Sequence, residues 1–152
     1  MKIERLPVGI YAANCYIVYC EDTKEGIVID PGGEGDTILE RIKKLDLNIK
    51  YIILTHGHGD HIGGIVEVKN GTKAPILIHK GDEELLKDAT KNLSSEMFTE
   101  KVQVIADKFV EDNEELKFGN HIIEIIHTPG HTPGGISLKI EENLFTGDTL
   151  FA

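Results

Sequence analysis

Apolar residues along this chain follow two rhythms. Near the start they form short β-branched and aromatic runs, Cys15-Tyr16-Ile17-Val18-Tyr19 and Gly26-Ile27-Val28-Ile29, divided by the turn-like residues 21–25. Runs of this kind predict strands, and residues 2–29 read as strands throughout. Asp30-Pro31-Gly32-Gly33 stops the last of them, because proline and paired glycines do not extend a ladder. A helical rhythm follows. Ile38, Leu39, Ile42 and Leu45 predict a helix over 37–45, with Asp36 or Thr37 as its cap. Residues 51–54 predict a buried strand, and a further helix is expected to run to about Val68, with a turn at Asn70-Gly71. Residues 75–79 read as a strand and 81–87 as a helix with acidic residues in its first turn. The polar stretch 88–101 reads as an exposed loop or lid. After residue 101 the rhythm returns to short strands at 102–104, 108–110, 116–118, 122–126, 136–140 and 144–146, with turns at Asn113-Glu114 and Gly119-Asn120. Strands, then alternating strands and helices, then strands again predict a mixed α/β or α+β fold without a dinucleotide fingerprint.

Composition narrows this only modestly. The 152 residues suit one domain, 1–152, and 40% apolar with 28% charged residues is an ordinary globular balance. Twenty-six acidic residues against 16 basic ones give a net charge of −10. That balance argues against a nucleic acid or an anionic membrane as partner and leaves a small-molecule substrate, with a homo-oligomer open. No apolar run reaches the ~20 residues of a bilayer span. Residues 1–7 lack the apolar stretch of a secretory signal, so cytoplasmic localisation is expected. Cys15 and Cys20, five residues apart on one strand, point to opposite faces and are expected to be buried and unpaired.

Chemistry enters at Thr55-His56-Gly57-His58-Gly59-Asp60-His61-Ile62-Gly63-Gly64. Three histidines and an aspartate lie within six residues at the end of a predicted strand. Singly, each has a bland role: a histidine on the surface, or Asp60 as a helix cap. Their clustering points to metal. Imidazole nitrogen and carboxylate oxygen suit zinc, iron or manganese, and no thiolate is needed. Two more predicted strand ends carry such groups, His131 in the loop His127–Gly135 and Asp148 in Thr146-Gly147-Asp148-Thr149. Three strand ends bearing donors suggest that one edge of a sheet forms the site. Asp30, at another strand end, is either a turn former or a residue that orients a ligand. His79, His121 and His127 are expected in structural or surface roles, His127 being the nearest to an exception.

His56-x-His58-x-Asp60-His61, with Pro129-Gly130-His131-Thr132 and Gly147-Asp148, resembles the metallo-β-lactamase superfamily. Asn14-Cys15-Tyr16, Ile29-Asp30-Pro31-Gly32 and Gly147-Asp148-Thr149-Leu150-Phe151 are most similar to its glyoxalase II-like (hydroxyacylglutathione hydrolase-like) branch. The resemblance implies an αββα sandwich. It implies His56, His58 and His131 on a first metal, Asp60 and His61 on a second, and Asp148 bridging. It further implies zinc, as one or two ions, with iron or manganese as substitutes. A hydroxide held by the metals would attack a carbonyl, and Asp60 would handle its proton. Asp148 in place of cysteine departs from the commonest zinc β-lactamase class, and His58 in place of glutamate departs from the flavodiiron type. The family continues beyond its Gly-Asp motif and supplies a last histidine to the second metal. The expectation is therefore a sandwich incomplete at its C-terminus and a second site one ligand short.

The expected activity is metal-dependent hydrolysis of a thioester such as an acyl-glutathione. The alternatives are a mononuclear iron persulfide dioxygenase using His56, His131 and Asp148, and a metal-binding module without turnover.

Overall fold

The strand-forming runs pair into two sheets. A computed structural model describes residues 1–8, 13–56, 64–84, 106–129, 133–146 and 150–151. The first sheet holds β1 (Lys2–Val8), β2 (Ala13–Tyr19), β3 (Glu25–Ile29), β4 (Asn48–Ile53), β5 (Ile76–His79) and β6 (Lys108–Val110), neighbours in that order. β1 to β3 pair antiparallel, and β3 to β6 run parallel. The second sheet is antiparallel, in the order β11-β10-β9-β8-β7: β7 (Glu115–Phe118), β8 (His121–His127), β9 (Ile136–Ile140), β10 (Asn143–Phe145) and β11 (Leu150–Phe151).

Alternation along the strands of the first sheet builds two cores. On β2 and β3, Cys15, Ile17, Tyr19 and Val28 face α1 (Gly35–Lys44) and α2 (Ile65–Thr72), which contribute Ile38, Ile42, Ile65 and Val68. Tyr16, Val18, Ile27 and Ile29 face the other way, against Leu116, Phe118, Ile123, Ile125 and Leu138 of the second sheet. A strand whose two faces are both buried must be apolar at nearly every position, which is why β2 and β3 read as continuous runs rather than alternating ones. Tyr16 and Phe145 meet edge to face between the sheets, ring centroids 5.1 Å apart. The layers are thus helices, sheet, sheet. Both cysteines are buried and free, Cys15 toward the helices and Cys20 beside the Gly119 turn of the second sheet. Among the described residues no helix is long and apolar enough to cross a membrane.

Three local expectations need correction. Neither Asp36 nor Thr37 caps α1; Glu34 does, in the left-handed region (φ 48°) and without a side-chain bond. Packing replaces capping here, since a Cβ on Gly35 would lie 2.5 Å from Cβ of Glu67 on α2. Asn70-Gly71 is not a turn but part of α2, which ends one residue beyond Thr72 at Lys73 (φ 59°). Gly71 lets α1 approach, for a Cβ there would stand 2.4 Å from a Leu39 methyl. Lys80–Asp82 is a 3-10 turn that passes into helical residues at 83–84, so the helix expected over 81–87 begins later than expected, and residues 85–87, with 88–101 and 102–104, lie outside the described residues. The remaining strands fall where expected, within a residue or a few at their ends.

Asp107 ties α2 to the start of β5: its carboxylate accepts from the Ile76 amide (2.8 Å) and from Lys69 Nζ (3.0 Å). The amide bond first, and Lys69 with it, holds this carboxyl below its ordinary range. A depressed folded-state pKa adds stability above the unfolded value and loses it as pH falls through the folded one. Asp107→Asn should therefore flatten the acid limb of a stability–pH profile and leave the neutral-pH slope unchanged. Leu138→Ala should cost about 2–5 kcal/mol in chemical denaturation, and Ile122→Thr, on the other face of the second sheet and 46% exposed, within about 0.5 kcal/mol.

Candidate metal centre

The first histidine of the cluster is placed by the end of β3. The chain leaves that strand through Asp30, whose φ of 53° lies in the left-handed region that aspartate tolerates better than most residues. Its backbone amide still bonds Ile53 of β4 (3.1 Å), while its carboxylate turns to the residue after that strand. Oδ1 accepts the Thr55 amide at 2.7 Å and Oδ2 the Thr55 hydroxyl at 2.6 Å. Asp30 and Thr55 are both buried, and His56 is only 6% exposed.

Thr55 Oγ1 also lies 3.1 Å from His56 Nδ1. A hydroxyl has one proton, and the carboxylate, which can only accept, takes it. The contact with His56 must then run from an Nδ1–H to the hydroxyl oxygen. His56 is accordingly the Nδ1–H tautomer, with its lone pair on Nε2. Such a chain of carboxylate, hydroxyl and imidazole fixes both the plane and the tautomer of a metal ligand.

The same corner holds the far end of the cluster. The Gly64 amide donates to the Pro31 carbonyl at 2.7 Å, and a Cβ on Gly64 would come within 2.8 Å of the Gly33 carbonyl. The segment from His56 to Gly64 therefore begins and ends on the turn Asp30–Gly33. A third tie reaches the second sheet, where the Ile136 amide donates to the Thr55 carbonyl at 2.8 Å. The loop between β8 and β9 is closed at its base by Thr128 N–H to Gly135 O, 2.8 Å.

Of the expected ligands the structure describes His56; His58, Asp60, His61, His131 and Asp148 lie outside the described residues. One expectation is corrected. The donor-bearing strand ends do not share one sheet edge, because β4 belongs to the first sheet and β8 and β10 to the second. The place where they converge is an end of the sandwich, marked by the Thr55–Ile136 bond. His121 pairs with Glu141 (2.6 Å) beside Phe118, at the opposite end of β8 from His127. The sequence pointed to Asp30 but missed Thr55; a hydroxyl residue between a buried strand and the first histidine was its only trace.

Thr55→Val keeps shape and removes the link. It should cost roughly 1–3 kcal/mol, the usual penalty for stranding buried polar groups. In the metal-free protein, long-range proton–nitrogen spectra should show His56 protonated at Nδ1, and an Nε2–H tautomer would contradict the relay.

The profile of the Metallo-beta-lactamase superfamily matches residues 8–152. Hydroxyacylglutathione hydrolase GloC of Haemophilus influenzae is 36% identical over 155 residues, spanning 99% of this chain and 73% of that protein. Among solved structures, the BLEG-1 B3 metallo-beta-lactamase superposes with a TM-score of 0.89 at 32% identity, covering 99% of this chain and 74% of that one. TTHA1623 in a di-iron-bound form gives 0.81 at 26% identity, covering 98% and 73%. The paired sheets with helices on one side superpose on this fold, in agreement with the metallo-β-lactamase-like sandwich that the ligand-motif resemblance implied. The chain belongs to the metallo-β-lactamase superfamily and is a hydrolase with that fold.

Proposed function

We propose that the protein is a metal-dependent thioester hydrolase, acting on acyl-glutathione or a close relative of it. His56, His58 and His131 would hold a first metal, Asp60 and His61 a second, and Asp148 would be shared between them. The observation that carries this reading is the Asp30–Thr55–His56 relay, which leaves the His56 lone pair on the nitrogen away from Thr55. A buried imidazole with its tautomer set by a carboxylate is what a metal ligand needs and a surface histidine does not. The acyl-glutathione substrate is supported by the likeness to the Haemophilus influenzae hydroxyacylglutathione hydrolase.

Imidazole and carboxylate donors suit zinc, iron or manganese, and zinc is the resident ion in this reading, with iron the nearest substitute. When bound, the metal supplies a Lewis acid that acidifies water and polarises the carbonyl. The chain's own part is positional and protolytic. Asp30 and Thr55 hold His56 in register, and the turn at Asp30–Gly33 holds both ends of the segment whose sequence carries His58, Asp60 and His61. Asp60 accepts the proton of the attacking water. The water oxygen then bonds to the thioester carbon, the C–S bond breaks, and the thiolate leaves to be protonated.

Protein stripped with a chelator and reloaded with two equivalents of zinc should release thiol from lactoylglutathione. Asp60→Asn should lower kcat by about 10²-fold or more. Metal-replete protein that turns over no member of a broad thioester panel would overturn the assignment.

A further inference from the structure

The loop that carries His131 is held from a direction that the ligand motif does not suggest. Asp82, in the 3-10 turn after β5, is fully buried, yet its Oδ1 accepts the amide of Gly134 at 2.6 Å. A carboxylate taken out of water must recover its lost hydration from donors around it, and a short bond to a backbone amide is part of that recovery. The two backbones touch at the same point. A Cβ on Gly81 would lie 2.9 Å from Gly134 Cα, and one on Gly134 would lie 2.4 Å from the Asp82 nitrogen. Neither residue can carry a side chain without parting the two segments.

His79 and His127 complete the contact. Their rings stack in parallel, 4.0 Å between centroids and 11° between planes. Nδ1 of His79 accepts the Gly81 amide at 3.0 Å, which shapes the turn that presents Asp82. Nε2 of His127 lies 2.9 Å from the Pro133 carbonyl, and a carbonyl only accepts, so this nitrogen carries a proton. The backbone amide of His127 is itself anchored on Asp112 Oδ1 at 2.8 Å. The returning arm of the loop, Pro133-Gly134, is therefore fixed at two consecutive residues, and Gly135 is fixed by the Thr128 amide. His131 stands two residues before the first of these.

We infer that Asp82, with the stacked pair His79 and His127, is a positioning latch that holds the 128–135 loop, and so its ligand His131, in register with the histidine cluster. The inference rests on the assignment of His131 to the metal. It gives His79 and His127, two of the three histidines outside the ligand set, a common role through the loop.

The test compares Asp82→Asn with Asp107→Asn, a carboxylate that also accepts a backbone amide but at the opposite end of β5. Zinc affinity is read by competition with a chromophoric chelator, and amide exchange of Gly134 is followed in metal-free protein. Asp82→Asn should weaken zinc binding tenfold or more, the range seen when the support of a ligand is lost, and should speed Gly134 exchange. Asp107→Asn should change neither. His79→Phe, which keeps the stacked ring and removes the acceptor, should give a smaller loss of zinc affinity, and it carries the test if Asp82→Asn does not fold. Wild-type zinc affinity together with wild-type Gly134 exchange in both latch variants would overturn the latch. His131→Ala separates the two claims: if it leaves zinc affinity unchanged while Asp82→Asn still frees Gly134, the ligand assignment falls, and with it the latch's role at the metal.

Discussion

The carboxylate of Asp30 is the point on which the described part of the site depends. It is buried, it sits on a residue with positive φ, and it receives both the amide and the hydroxyl of Thr55. Without it the amide and hydroxyl of Thr55 would lose their acceptor, and with them the contact that sets the proton on His56 Nδ1. The same turn accepts Gly64, so one short corner sets where the cluster starts and where it ends. The left-handed backbone at Asp30 is the cost of this arrangement, and aspartate is among the few side chains that bear it at modest cost.

Around that corner, elements are joined by close backbone approach as much as by side-chain packing. Gly35 and Gly64 bring the turn after β3 against the start of α2, and Gly81 and Gly134 bring the β5 turn against the β8–β9 loop. These contacts tie loops to loops at the end of the sandwich that carries His56, whereas the apolar clusters tie sheet to sheet and sheet to helix. Preorganised sites need this division, because ligands set by packing alone would follow every rearrangement of the core.

Much of the architecture was legible in the sequence because burial leaves a periodic mark. β2, β3, β8 and β9 are continuous or alternating apolar runs, and α1 shows its buried stripe at Ile38, Leu39, Ile42 and Leu45. What was not legible depends on tertiary contact. Asn70-Gly71 has the composition of a turn, yet α1 packs so closely that glycine is required inside α2. The cap on α1 was misread for the same reason, the helix entry being fixed by Gly35 against Glu67. The division of the donor strands between two sheets could not be seen from strand ends taken singly, since pairing partners are not local information. In the site itself, the histidine cluster and Asp30 stand out by type and spacing. Thr55, Asp82 and His79 do not, because their roles arise from what they bond to rather than from what they are.

The hydrogen bond from Ile136 to Thr55 joins two sheets rather than two strands of one sheet. A fluctuation that parts the sandwich at this end must break it, and in doing so disturbs the residue that orients His56. Breathing of the fold at this end is therefore coupled to the orientation of His56. An ion bound there would act as a rivet on the whole sandwich, and the protein would register occupancy of its site as rigidity in both sheets.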